Sequence, residues 1–229
     1  NLNTTLNTLK DEFTKVLDWL LANKLIINLQ KTHIMLFTNR ARPDSISLNI
    51  NNNVITENSE TKFLGVIVDN QLSWNAHIKH ISNKISKSVA ILWLLRDIFP
   101  KHILKTLYLT LTLPYFNYCN LIWGTAYITN LNPLILSKKC IRIINRAGYI
   151  DHTDPLFKST KLLKLEQIHI LSCAKFIFNC YNTNVYQNFK VRLIQNSEIH
   201  DHDTRISSQL RTPYERLDSG INSFFVKGI

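Results

Sequence analysis

The chain has 229 residues, 45% of them hydrophobic, with 5 glycines and 6 prolines, which suits one sizeable core or two small ones and excludes a fibrous or loop-rich protein. Lys and Arg number 27 against 16 Asp and Glu, a formal net charge of +11. Such an excess favours a polyanion such as RNA or DNA, or an anionic membrane surface, unless an AT-rich coding sequence supplies the lysines. No apolar run approaches the roughly 18 residues of a membrane span, since the most apolar window, residues 103–113, carries Lys105 and stops at Pro114.

In chain order, Leu2, Leu6, Leu9, Phe13, Val16, Leu17, Leu20 and Leu21 recur at three- and four-residue steps and predict an amphipathic helix that stops near Asn23-Lys24. Leu25, Ile27 and Leu29 alternate, and Ile34, Leu36 and Phe37 follow, predicting a strand pair or a kinked strand. After a turn at residues 40–45, Ile46, Leu48 and Ile50 alternate again, and three asparagines make a hairpin turn towards Val54-Ile55. TKFLGVIVD (residues 61–69) reads as a mostly buried strand with a close backbone approach at Gly65.

From Ser73, a fair N-cap, the period becomes helical. Ile78, Ile81, Ile85, Val89, Leu92 and Leu95 form a stripe that Pro100 ends. Further helices are expected over residues 101–113, 115–127, 132–146 and 165–181. After Val185 polar residues dominate, predicting a loosely packed tail. The order gives an α+β fold: a small sheet with a helix, then an all-helical block, with the seam near Asn70. The chain opens at Asn1 and its only methionine, Met35, sits inside a strand pattern, so a piece of a longer protein is expected, and no signal peptide is recognisable.

Five local patterns, in order, carry more. They are WLLANKLIINLQKTHIMLF (residues 19–37), FLGVIVDNQLSWNAHIKHISNKISK (63–87), YFNYCNLIWG (115–124), SKKCIRIINRAGYIDHTDPLF (137–157), and HDHDTRISSQL with VKGI (200–210 and 226–229). Together they resemble the C-terminal part of reverse transcriptases of non-LTR, LINE-type (jockey-like) retrotransposons, with Ser137 where that family usually has Gln. The resemblance implies the end of a polymerase palm over residues 1–70, a helical thumb over 71–150, and a helical connection with its tail over 151–229. It also implies RNA template and DNA primer as partners, together with the missing upstream polymerase half. An intracellular site, cytoplasm and nucleus, is expected for the parent element, and no membrane.

Templated DNA synthesis is phosphoryl transfer through two metal ions held by carboxylates. The sequence has no Asp-Asp dipeptide, and Asp69 and Asp97 are poorly placed to replace one. The chain alone is therefore expected to hold no metal or other cofactor, Mg²⁺ belonging to the complete enzyme, and not to polymerise. By resemblance Lys31 sits near the leaving pyrophosphate, where an ammonium neutralises charge or delivers a proton; otherwise it is a surface lysine at a strand end. Phe63 and Gly65 fall in a primer-grip-like turn, although Gly65 also reads as a bulge glycine.

Trp74, His77, Lys79, Lys84 and Lys87 are candidates for lining a duplex groove, or else a solvated helix face. Lys138, Lys139, Arg142 and Arg146 form the stronger basic stripe. Trp93 and Trp123 are expected to fill cores. His200, Asp201, His202 and Asp203 are too mobile a setting for a metal site. The four cysteines never form C-x-x-C and read as buried free thiols in a reducing compartment. The rival to a polymerase fragment is a non-enzymatic nucleic-acid-binding module derived from one; a basic helical protein binding acidic partners or membrane is a third.

Overall fold

Two units, residues 1–77 and 78–229, divide the computed structural model, which describes residues 2–38, 46–50, 53–128, 130–183, 186–190, 193–199, 205–207 and 209–211. Helices with two small antiparallel sheets make it an α+β fold. In the first unit, helix α1 (Leu2–Ala22) follows the apolar stripe. Phe13 and Leu17 pack on Leu48 and Ile55, each 5% exposed. Those two residues face each other across strands β1 (Ser47–Ile50) and β2 (Asn53–Thr56), so one face of the hairpin and one stripe of the helix bury each other. Lys24 takes a left-handed φ of 57°, and Leu25 N–H reaches back to the Leu20 carbonyl at 2.8 Å, closing α1 as a Schellman-type cap.

The strand pair expected after α1 does not form. Residues Leu29–Lys31 make a 3₁₀ turn, closed by Lys31 N–H to Asn28 O and by the Thr32 hydroxyl to the same carbonyl. Ile34 makes a single parallel bridge to Glu57. The alternation serves the core instead, because Leu29 and Ile34 pack on the Leu48–Ile55 cluster. The single strand expected over residues 61–69 is a hairpin: β3 (Glu60–Phe63) and β4 (Val66–Asp69) pair antiparallel, with Phe63 opposite Val66. Leu64 and Gly65 turn the chain with φ of 46° and 85°. Positive φ at both central residues matches a type I′ turn and its twist, and Gly65 takes that conformation without steric cost.

The second unit is helical among its described residues. Helix α2 (Asn75–Leu95) buries Ile78, Ile81, Ile85 and Leu92 along its stripe. Then come α3 (Lys101–Leu111), α4 (Leu113–Asn117), α5 (Asn120–Trp123), α6 (Asn132–Ile144), α7 (Thr153–Thr160), α8 (Leu165–Asn182) and the short α9 (Gln187–Lys190). Helix α6 packs on α3, α7 and α8, and α8 on α4 and α5. The helix expected over 115–127 breaks at Cys119, whose φ is 49°, and ends as a 3₁₀ segment, Gly124–Ile128.

Helix α7 falls between the helices expected over residues 132–146 and 165–181. Its end is fixed by Lys161 at φ 53° and by Leu162 N–H to Phe157 O at 3.1 Å, and its first turn by the Asp154–Lys164 ion pair at 2.8 Å. The described tail is better packed than expected, with Leu193 only 6% exposed against Ile177 and Cys180 and a bridge between Gln195 and Leu210. Residues 200–204 and 212–229 lie outside the described residues, and with them His200, Asp201, His202 and Asp203.

The pattern YFNYCNLIWG folds into a buried polar knot. Asn120 Nδ2 donates to Phe116 O at 2.8 Å, and Trp123 Nε1 donates to Tyr118 O at 2.8 Å. His169 Nδ1 lies 3.1 Å from Asn120 Oδ1 and 3.2 Å from Asn120 O, while Cys173 Sγ lies 3.5 Å from His169 Nε2. Two oxygens at Nδ1 place the proton there and leave Nε2 as acceptor for the thiol. Gly124 has a helical φ of −63°, so it is needed for space: a Cβ would run into the His169 ring and lie 2.7 Å from Asn120 Oδ1. Of the four free cysteines, Cys140, Cys173 and Cys180 are buried and Cys119 is partly exposed.

A candidate nucleic-acid interface

The candidate residues fall in both units, and each group is described within its own. In residues 1–77, Lys31 is exposed at the end of the 3₁₀ turn, and its ammonium has no ion-pair partner among the described residues. Phe63 and Leu64, 65% and 75% exposed, form an apolar hairpin tip with Gly65. Trp74 is half-buried in a left-handed conformation, φ 62°. Asp69 holds that corner: its carboxylate accepts from Gln71 N–H at 3.1 Å, Ser73 N–H at 2.9 Å and Trp74 N–H at 2.8 Å. Burial pushes its pKa upward, but the backbone donors of Ser73, Trp74 and Gln71 outweigh that and hold the carboxyl below its usual range.

His77 is 2% exposed, and its Nδ1 accepts from Ile67 N–H at 3.4 Å. This corrects its reading as a groove-lining residue, because a side chain so enclosed braces the β4–α2 corner and offers no surface to a duplex.

In the second unit, α2 and α6 leave a concave groove of about 800 Å³ between them. Val89, Ala90, Leu136 and Ile143 make its aliphatic floor, and no Asp or Glu is in its lining among the described residues. Its cations are Arg96, Lys139, Arg142 and Arg146. They have different work. Arg146 donates through Nε to Arg96 O at 3.0 Å and through Nη2 to Phe99 O at 3.2 Å, which fixes the groove's end. Arg142 Nε donates to Asp151 O at 3.0 Å, leaving its terminal nitrogens uncommitted, and Lys139 has no ion-pair partner among the described residues.

Lys138 is outside the lining and near enough to Asp154 to help lower that carboxyl's pKa, after the Lys164 hydrogen bond and in company with His152. The four-cation stripe read from the sequence therefore divides. Lys79, Lys84 and Lys87 are all exposed on α2. Lys79 sits two turns before Ser86 and Lys87 two turns before Leu94, each about 10 Å along the axis from a residue of the groove, while Lys84 lies on the opposite side of α2.

Trp123 is fully buried, but Trp93 is 56% exposed and lines the groove, with the Arg96 guanidinium 4.2 Å from its ring centroid. The core expectation for Trp93 fails because its position on α2 faces the gap beside α6 rather than a packed neighbour. Arg96 and Tyr149 were missed. The i, i+3 spacing of Trp93 and Arg96 was a visible signal, whereas Tyr149, 80% exposed in the turn after α6, had none. That turn is braced by the Asp151 carboxylate, which accepts from Gly148 N–H at 2.7 Å. An acid-free concavity with two uncommitted cations and two exposed rings is equipped to meet phosphates and flat aromatic groups.

The chain is similar to an RNA-directed DNA polymerase from mobile element jockey of Drosophila funebris, 27% identical over 152 residues. The match covers 65% of this chain, which spans only 16% of that relative's length. No family model and no solved structure matches the chain. The similarity supports a reverse-transcriptase-like relationship, and no helix among the described residues is long and apolar enough to cross a membrane.

Proposed function

We propose that this chain is the end of the palm, the thumb and the connection of an RNA-directed DNA polymerase of a non-LTR mobile element, and that it grips the RNA template and DNA primer. The carrying observation is the α2–α6 groove, where Lys139 and Arg142 stand in an acid-free lining; the likeness to the jockey polymerase supplies the class of partner. In this reading the two-metal site lies outside this chain. The sequence has no adjacent aspartates, and no group of three or more His, Cys, Asp or Glu gathers among the described residues. The upstream polymerase half supplies the carboxylates and Mg²⁺ in this reading, and Lys31 stands by the leaving pyrophosphate. The complete protein works in cytoplasm and nucleus.

The missing carboxylate pair also favours a second reading, a binding module that descends from such a polymerase and no longer polymerises. An Asp-Asp box in the reading frame upstream of Asn1 decides for the enzyme, and a reading frame without one decides for the module. The shared claim of both readings is tested by titrating the chain with a labelled RNA–DNA hybrid at several salt concentrations. Affinity should fall steeply between about 50 and 200 mM salt as the entropy gained by releasing counterions shrinks. A flat response sinks phosphate neutralisation and with it the nucleic-acid reading.

A further inference from the structure

We infer that the α2–α6 groove receives an unpaired nucleotide of single-stranded nucleic acid, its base against Tyr149 and Trp93 and its phosphate on Lys139 and Arg142. The inference rests on the nucleic-acid reading above and names which form of nucleic acid this site takes.

Shape separates the two forms. A duplex offers a convex line of phosphates and hides the faces of its bases, so it is met by cations spread along a surface. The groove is a concavity of about 800 Å³ with an aliphatic floor, within the roughly 300–1,000 Å³ of sites that enclose single small groups. Its rim carries ring faces that a stacked base pair has no use for: Tyr149 is 80% exposed and Trp93 56%. Exposed rings beside cations are how single strands are held, each unpaired base stacking on an aromatic side chain. Arg96 already covers part of Trp93 from 4.2 Å, which leaves Tyr149 as the open stacking surface.

The charges fit the same occupant. Among the described residues Lys139 and the terminal nitrogens of Arg142 have no partner, and no acid opposes them in the lining. Arg146 braces the turn after α2 through its carbonyls and Asp151 the turn after α6 through the Gly148 amide, so the slot exists before the ligand arrives and little ordering cost is left to binding. An acidic amphipathic helix would satisfy the cations too. Such a helix has no need of exposed rings beside those cations, whereas an unpaired base does.

The test compares a labelled oligouridylate with a blunt RNA–DNA hybrid of the same length, both bound to the full chain. Tyr149→Ala should weaken the single strand on the order of tenfold, leave its salt slope unchanged and leave the hybrid alone; Tyr149→Phe should bind as the parent does. Tyr149 is so exposed that its loss should spare the fold, and circular dichroism checks this. If the parent chain binds both probes and Tyr149→Ala changes neither, the slot is wrong while the nucleic-acid reading stands. If the parent binds neither probe, that reading itself fails. An acidic helical peptide that binds in a Tyr149-dependent way, with the oligouridylate indifferent to Tyr149, overturns the inference in favour of a protein partner.

Discussion

Arg146 Nε donates to the Arg96 carbonyl at 3.0 Å, so the turn that follows α6 is stitched to the turn that follows α2. With Nη2 on Phe99 O at 3.2 Å, one planar side chain donates to two carbonyls just beyond the C-terminal end of α2, where helical N–H donors have run out. Arg146→Lys should lower unfolding free energy by about 1 kcal/mol, discounted for exposure, in a urea titration. The salt slope of hybrid binding should not move, because this cation is spent on the fold.

The opposite pattern is expected of the two uncommitted cations. Lys139→Gln with Arg142→Gln should shrink the slope of log affinity against log salt for the single strand by about 0.7, the one phosphate that the two cations share. Lys138→Gln should leave that slope in place. Loss of slope on replacing Lys138 alone would mean that the basic stripe, and not the groove, is the contact.

Asp69 makes stability depend on pH. Its folded-state pKa is held below the ordinary 3.8, so the unfolded chain binds its proton first as pH falls. The stabilisation is fully present above the unfolded value and is lost as pH drops through 3.8 towards the lower folded value. Asp69→Asn, which cannot accept from both Ser73 and Trp74 with charged oxygens, should cost about 1–2 kcal/mol at neutral pH and flatten the acid limb. Urea unfolding of both proteins from neutral pH to below pH 3 measures this.

Gly124→Ala should cost about 3 kcal/mol, since the added methyl enters the space of the His169 ring and Asn120 Oδ1. Adding His169→Ala should recover part of that loss relative to the sum of the single variants. Strict additivity would show that the clash is relieved elsewhere.

Lys31 is testable only in a complete polymerase carrying this chain. Lys31→Ala should slow single-turnover nucleotide addition more than it weakens primer–template binding, because a charge at the leaving group acts in the transition state. Weaker binding at an unchanged rate would assign the exposed ammonium to template phosphate instead.

What was legible in the sequence followed from how far a residue's burial depends on its own element. The stripes of α1 and α2 stood out because a helix that buries one face must repeat its apolar residues. The hairpin of β3 and β4 did not, since TKFLGVIVD is apolar on both sides of Leu64-Gly65 and periodicity carries no mark of a chain reversal. The groove was half visible. Lys139, Arg142 and Arg146 showed in the α6 pattern, but their separate uses depend on Phe99, Asp151 and Arg96, which only tertiary structure brings near. Trp93 was misplaced for the same reason, as its exposure is a property of the gap beside α6.

The two-residue turn at Leu64-Gly65 also has a meaning for the order in which the chain folds. Every pair in that ladder, out to Glu60 opposite Asp69, joins residues close in sequence, so closing it costs little chain entropy, and such hairpins form in about 1–10 μs. Asp69, at the far end of the ladder, then presents its carboxylate to the amides of Ser73 and Trp74 while the following residues are still free to coil. A fast local event can thus seed the corner from which α2 grows, and Gly65→Ala, straining the turn, should slow refolding more than it speeds unfolding.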